Sequence, residues 1–540
     1  MFGPNEREHY KSEMKSEFYD LCIIGGGITG AGIARDAALR GMKVALVEAD
    51  DFASGTSSRS SKLIHGGIRY LENLEFGLVH EALTERRRLF EMAPHLVHPL
   101  RFVLPLYKGG RVGMFKMGLG MWLYDLLALF EMPEIHERLS RPQTEKRVPF
   151  LKQKELLGSY VYSDAYMDDD RLVLETLRSA NESGAHCVNF VKATGAEFEN
   201  DKVAALKVED QRTLERWTIK AHHFISCVGP WTDRVGQTLL NNWSPLMRPS
   251  KGIHLTLDQK RLPLKEAVVM ATDGEKRIVF AIPRHEMVII GTTDTDYAES
   301  PCDVHSDSQD VEYVLNVVNE YFPGAKITKD DILASYAGVR PLVNDGASTE
   351  SKTSREHLIL SDDQNVTFVT GGKYTTYRHM AEETMDRVLQ ALPIEKQVQF
   401  GQCLTSRPLN KYVTASNWEH RSEAVDKLKS FCHWSVEDCQ KFVERHGGEA
   451  EHILKKYYRS DATLWQVESR HAIQETMCLN VVDFYLRRAP LFLARKDHGY
   501  NLLDEILSVF AEELSWDSAE QERQKQMLKA HEKKELSWKI

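Results

Sequence analysis

The chain contains no Cys-x-x-Cys pair. Its eight cysteines, Cys22, Cys187, Cys227, Cys302, Cys403, Cys432, Cys439 and Cys478, are scattered along 540 residues. Such spacing argues against a zinc cluster or a disulfide framework, so no metal is expected, and it fits a reducing, cytoplasmic setting. A basic surplus is missing too. Lys and Arg number 69 against 79 Asp and Glu, a net charge of −10, which does not suit a nucleic-acid partner whose phosphates must be neutralised. The most apolar window, 114–132, is broken by Lys116, Asp125 and Glu131, short of the ~20 apolar residues a spanning helix needs. Residues 1–18 are polar and mixed in charge, without the apolar region of a signal peptide. There is no internal repeat and no low-complexity linker. What remains is an ordinary globular composition, 42% hydrophobic and 27% charged, on a chain long enough for several units of about 150 residues each.

The first strong signal starts at Tyr19. Tyr19–Ile24 (YDLCII) reads as a buried strand and runs into Gly25-Gly26-Gly27-Ile28-Thr29-Gly30. A helical pattern follows as far as Gly41, a residue suited to ending a helix. Lys43–Glu48 (KVALVE) is a second strand closing on a carboxylate. Strand, glycine turn, helix, strand and acid in this order are the dinucleotide-binding fingerprint. Gly25 permits the tight turn, Gly27 lets a pyrophosphate approach the backbone, and Gly30 lets helix and strand pack closely. The helix N-terminus faces the negative charge. Glu48 is placed to accept hydrogen bonds from the ribose hydroxyls of an adenosine.

Residues 54–70 (SGTSSRSSKLIHGGIRY) form a long stretch of small residues ending in a second glycine pair. A stretch like this can pass along a pyrophosphate and under an isoalloxazine, which favours a flavin over nicotinamide. Phe224–Trp231 (FISCVGPW) predicts a strand running into a turn at Gly229. Val366–Arg378 predicts a strand, a Gly371-Gly372 turn and a helix from Tyr377 to about Ala391. At a flavin pyrimidine, that helix N-terminus would stabilise negative charge on the reduced ring.

The motifs SSKLIHGGIRYLE (60–72), YAGVRPL (336–342) and GGKYTTYR (371–378) resemble those of the FAD-dependent, quinone-linked glycerol-3-phosphate dehydrogenases. The resemblance runs from about Phe18 into the C-terminal region. It implies an α/β fold with three parts: a glutathione-reductase-like, Rossmann-type FAD domain, a mixed-sheet substrate domain and an all-helical C-terminal domain. In this chain the expected divisions are 18–75 with 160–235 and 335–395 for FAD, 76–159 with 236–334 for substrate, and 400–540 for the helical domain. Leu502, Leu503, Ile506, Leu507 and Phe510 have the spacing of one buried helical face. Trp418, Trp434, Trp465, Trp516 and Trp538 are expected in the core and interface of the helical domain. Such apolar stripes also leave a homodimer open.

The cofactor-binding residues expected are Gly25, Gly27, Gly30, Glu48, Ser61, Lys62, Leu63, His65, Gly66, Gly67, Val191, Gly229, Gly372, Lys373, Tyr374 and Thr375. Burying a phosphomonoester beside a flavin demands fixed cations. Arg69, Arg340, Arg355 and Lys373 each stand among small or apolar residues, unlike the surface run Glu85–Arg88. By resemblance, Arg69, Arg355 and Lys373 would hold the phosphate with Tyr70 beside them, and Arg340 would lie at the reacting carbinol. The reaction moves the C2 hydrogen of glycerol 3-phosphate to FAD and takes a proton from the hydroxyl. General-base work near neutrality favours histidine. His254, on a strand of the substrate domain, is the first candidate, and His65, under the flavin, the second.

Three other readings keep the flavin: an oxidase of the same ester giving hydrogen peroxide, an amine or amino-acid oxidase, and a non-catalytic flavin-binding module. The oxidases of this ester typically carry an extra insertion for which 540 residues leave little room, and the amino-acid oxidases need no cluster of four cations. A quinone acceptor requires contact with the membrane. In Arg101–Phe130, the cations Arg101, Lys108, Arg111 and Lys116 precede a stretch carrying Met117, Leu119, Met121, Trp122, Leu123, Leu126 and Leu127. That order fits an interfacial helix on anionic lipid. The glycines at 109, 110, 113, 118 and 120 speak against a rigid core helix. The expectation is a peripheral protein on the inner face of the cell membrane.

Overall fold

The computed structural model describes residues 1–67, 71, 75–129, 131, 133–240, 242–272, 277–346, 356–392 and 394–539. Among them the chain forms two large sheets and a helical C-terminal region. The first sheet has eight strands. At its centre is Phe18–Ile24, whose residues Leu21–Ile24 are buried on both faces, as a parallel strand under helices requires. Val44–Val47 and Arg216–Ser226 pair with it in parallel, His186–Val188 extends one side, and Val366–Gly371 extends the other. His357–Ser361 closes an edge antiparallel. The helix Ile28–Leu39 connects the first two strands, and Gly41, at φ +91°, ends it in the left-handed region where glycine carries no steric cost. Val191–Glu199 and Lys202–Asp210 make a hairpin on this sheet. Its two turn residues, Asn200 and Asp201, both have positive φ, the type I′ geometry that matches strand twist.

The second sheet has ten strands. It is antiparallel except where Ala267–Ala271 runs parallel to Val97–Tyr107. Two of the segments expected to build the FAD domain begin here instead. Leu156–Met167 pairs with Val97–Tyr107, and Ile332–Arg340 pairs with Ser250–Asp258. A buried apolar run announces a strand, but the partner that decides its sheet lies far away in sequence.

Beyond 411 the described chain is helical, with its own core around Leu428, Phe442, Ile453 and Val467. Leu503, Ile506, Leu507 and Phe510 are buried on one face of the helix Leu503–Leu514. Trp538 departs from the expectation. It packs into the core of the second sheet and its indole N–H donates to Ser335 Oγ at 2.9 Å. The helical region is also tied to the first sheet. Asp51, wholly buried, accepts from Arg487 Nε at 2.8 Å and Arg488 Nη2 at 3.0 Å. Two cations and an amide from Asn189 at 3.1 Å leave no unpaired charge on that carboxylate.

Candidate active site

Between the two sheets lies a cavity of about 1800 Å³. That exceeds the ~300–1,000 Å³ of a drug-sized pocket and suits a dinucleotide with a second small molecule beside it. One end is the glycine turn. Gly25 has φ +110°, and a Cβ there would stand 2.7 Å from the Cys227 carbonyl oxygen; one on Gly30 would meet the Gly25 oxygen at 1.9 Å. Gly25 and Gly27 line the cavity, whereas Gly30 sits behind the turn, where helix and strand meet. Ser57 Oγ accepts the Ile28 N–H at 3.0 Å, so the small-residue stretch folds back onto the helix N-terminus. Glu48 accepts from the Gly26 N–H at 2.6 Å and the Asp50 N–H at 2.9 Å. Burial outweighs those bonds and raises its carboxyl to about 7. Val191 and Gly229 complete this end.

Further along, the cavity is lined by Ser61, Leu63, His65 and Gly67 together with Gly372, Lys373, Tyr374 and Thr375. The His65 N–H donates to Thr375 Oγ1 at 3.3 Å, which joins the two loops. Gly372, at φ +78°, brings its backbone so near Met380 that a Cβ would be 2.6 Å from the sulfur. The helix Tyr377–Ala391 starts just after this turn. Two residues expected at the cofactor face elsewhere. Lys62 is buried and turns its ammonium to the Asp169 carboxylate, with Asp170 at 3.7 Å. Gly66 packs behind the wall, its N–H donating to Tyr124 Oη at 3.1 Å. Between Ser61 and Gly67 the loop alternates between cavity and interior, whereas nearly every position from Ser54 to Ser61 faces the cavity.

The other end is floored by the second sheet. His254 on Ser250–Asp258 stands opposite Tyr336 on Ile332–Arg340, and the two rings stack at 4.8 Å. Gly252 is opposite Gly338, and Ser250 opposite Arg340. With no side chain at Gly252, the Arg340 guanidinium lies over that residue, whereas a Cβ on Gly338 would meet the Arg59 carbonyl oxygen at 2.8 Å. The Arg340 guanidinium donates to Asp294 Oδ1 at 3.0 Å, Thr292 Oγ1 at 2.9 Å and the Thr293 carbonyl at 3.1 Å. His254 Nε2 is 2.8 Å from Ser61 Oγ, and its Nδ1 is buried without a hydrogen-bond partner. Burial first, then the charges of Arg340 and Lys62, hold the imidazole well below its ordinary pKa, so it is neutral near pH 7. A neutral imidazole beside a fixed cation can accept a proton while the cation stabilises a developing oxyanion. Arg69, Tyr70 and Arg355 lie outside the described residues.

Sequence reasoning missed several residues here. Asp294 orients Arg340; it ends the stretch 287–294 (MVIIGTTD), in which nothing marks an arginine partner. Phe102, Tyr162 and Phe280 line the cavity as an aromatic row across the sheet, Phe102 stacked on Tyr162 at 5.3 Å and edge-on to Phe280 at 6.2 Å. Each of the three strands is largely buried, and only the sheet that joins them brings the three rings together.

The helix Met114–Leu127 borders the same cavity through Lys116. Met121 and Tyr124 are buried, while Phe115, Leu119, Trp122, Leu126 and Leu129 point outward, between 54% and 81% exposed. Exposed apolar side chains at 115, 119, 122, 126 and 129 form one continuous stripe. Two expectations change. Arg101 is not among the outward cations, since it is mostly buried and paired with Glu137 and Glu134. Gly118 is inside the helix for packing: a Cβ would be 2.5 Å from Tyr160 Oη. Among the described residues no helix is long and apolar enough to cross a membrane.

Residues 20–378 match the model of the FAD dependent oxidoreductase family, and residues 411–521 that of the C-terminal domain of alpha-glycerophosphate oxidase. The chain is 36% identical over 535 residues to the aerobic glycerol-3-phosphate dehydrogenase of Staphylococcus saprophyticus, covering 96% of this chain and 95% of the relative. Among solved structures it is similar to the glycerol-3-phosphate dehydrogenase from Bacillus halodurans complexed with FAD. That similarity has a TM-score of 0.81 at 29% identity, over 100% of this chain and 99% of the other. The L-alpha-glycerophosphate oxidase from Mycoplasma pneumoniae, also with FAD bound, matches with a TM-score of 0.54 at 17% identity over 68% of this chain and 94% of the other, which shows the shared fold alone.

Proposed function

The chain belongs to the FAD-dependent glycerol-3-phosphate dehydrogenase family, and we propose that it oxidises sn-glycerol 3-phosphate to dihydroxyacetone phosphate and reduces a membrane quinone. FAD is its cofactor, and the cavity fits it: a glycine turn no Cβ could enter, the Glu48 carboxylate on the wall beside that turn, and a second Gly-Gly turn before a helix. Bound there, FAD supplies the acceptor for the C2 hydrogen with its electron pair and hands the electrons on.

The chain's own residues do the rest. The observation that carries the reading is the pairing of neutral His254 with cationic Arg340 on adjacent strands over one cavity. Arg340, held by Asp294 and Thr292, stays fixed while the carbinol oxygen gains negative charge and becomes a ketone. His254 takes the hydroxyl proton, and His65, which also lines the cavity, is the second candidate. Lys373 at the Gly371-Gly372 turn holds the phosphate, with Arg69, Tyr70 and Arg355 as its partners. The enclosed aromatic row keeps bulk water from the reacting carbon.

The quinone reading rests on the exposed stripe of Met114–Leu127. It borders the cavity and is flanked by the exposed cations Lys108, Arg111 and Lys116, a combination suited to lying in anionic headgroups on the cytoplasmic side. The decisive experiment is anaerobic mixing with glycerol 3-phosphate. Bleaching of the flavin band by the ester and not by glycerol supports the substrate; no bleaching overturns it. Under air, stoichiometric hydrogen peroxide would instead make oxygen the acceptor.

A further inference from the structure

Ser61 is expected from sequence only as part of the loop along the cofactor. Its side chain does something else. Ser61 Oγ is 2.8 Å from His254 Nε2 and lies on the cavity wall. The other imidazole nitrogen, Nδ1, is buried without a hydrogen-bond partner, and the ring is stacked on Tyr336. Tyr336 is itself anchored, its hydroxyl donating to the Ser60 carbonyl at 3.0 Å. His254 is only 2% exposed. Ser61 and His254 both line the cavity, and the Ser61 hydroxyl stands on that wall at hydrogen-bond distance from the nitrogen that can take a proton.

We propose that Ser61 relays the substrate's proton to His254, an inference that rests on the dehydrogenase reading above. As the C2–H bond breaks and its electron pair leaves toward the cofactor, the carbinol O–H bond also breaks. That proton bonds to Ser61 Oγ, whose own proton moves along the existing 2.8 Å contact to His254 Nε2. The substrate becomes a ketone and His254 an imidazolium, which later loses the proton to water. Serine ends as it began, and two protons move in the one step. A serine hydroxyl in contact with a histidine is activated in the same sense when it serves as a nucleophile.

The test is anaerobic single-turnover reduction by glycerol 3-phosphate in the FAD-loaded enzyme. Ser61→Ala should bind FAD at unchanged stoichiometry and dihydroxyacetone phosphate within threefold of wild type. Its flavin reduction should slow by about 10²–10³-fold, the range of a lost proton-transfer group. Ser61→Thr, which keeps a hydroxyl, should recover most of the rate. In mixtures of H2O and D2O, the wild-type rate should bow against deuterium fraction, as two moving protons require. A rate for Ser61→Ala within threefold of wild type, or a straight wild-type plot, overturns the relay. If His254→Asn is also as fast as wild type, the base assignment itself is at fault. A slow His254→Asn with a fast Ser61→Ala removes the relay alone.

Discussion

The Arg340 guanidinium occupies the space that a Cβ on Gly252 would need, with Nη2 2.3 Å from that position. Gly252 is therefore part of the arginine's seat. Gly252→Ala should push Arg340 off Asp294 and Thr292 and reduce kcat/KM for glycerol 3-phosphate by about 10²–10³-fold, the scale of one lost oxyanion donor. Flavin content should stay at wild-type level, measured as the ratio of visible to ultraviolet absorbance.

His254→Asn keeps a polar side chain of smaller size but cannot accept the proton at neutral pH. Flavin reduction should fall by about 10²–10⁴-fold, with FAD still bound. Stopped-flow bleaching reads this directly.

Glu48 links cofactor binding to pH. Its carboxyl is raised to about 7, chiefly by burial, from an ordinary 4.5. A raised acid pKa means that the folded apoprotein favours the protonated form, so this group's contribution weakens folding as pH rises from about 4.5 through about 7. Glu48→Gln escapes that penalty. Its apoprotein should melt higher than wild type at pH 8, by an amount on the order of 1–3 kcal/mol, and match it at pH 4.5. The same variant should bind FAD more weakly, because the amide loses one acceptor for the ribose hydroxyls.

Replacing Phe115, Leu119 and Trp122 together by serine should abolish sedimentation with anionic liposomes and quinone reduction, leaving reduction of a soluble dye unchanged. Replacing Lys108, Arg111 and Lys116 by glutamate should weaken liposome binding in a salt-dependent way. Neither set includes Arg101, whose charge is already matched by Glu137 and Glu134.

Arg488→Met would leave Asp51 buried with only part of its cationic shell. Breaking a buried pair of this kind costs about 3–5 kcal/mol. Asp51 follows Glu48 in the same loop, so the variant should release FAD on dilution at temperatures where the wild type retains it. Flavin fluorescence during a thermal ramp would show the earlier release.

The glycine turn was legible in the sequence because each glycine there has a steric reason that is local. Gly25 needs its positive φ and Gly30 its missing Cβ within six residues of chain. The helix Tyr377–Ala391 was legible for the same reason. Lys62 was not, since its partner Asp169 is 107 residues away and nothing in SSKLIHGG distinguishes an ammonium facing the cavity from one facing inward. The pairing of His254 with Tyr336, the seat of Arg340 over Gly252 and the arrival of Trp538 at Ser335 all depend on strand register and long-range contact. Alternation in a single strand says which residues share a face, but not what stands opposite them.

The cavity wall draws on residues from Ile24 to Lys534, so no contiguous stretch of chain can form it alone. Loops this long must close before any such contact repays its entropy. A bound flavin touches surfaces that only the completed fold brings together, and it has no comparable site on the unfolded chain. Ligand binding of that kind adds stability as RT ln(1 + [FAD]/Kd). The cofactor thus acts as a crosslink whose strength is set by its free concentration, and the melting temperature of this protein should rise with the logarithm of FAD long after the active sites are filled.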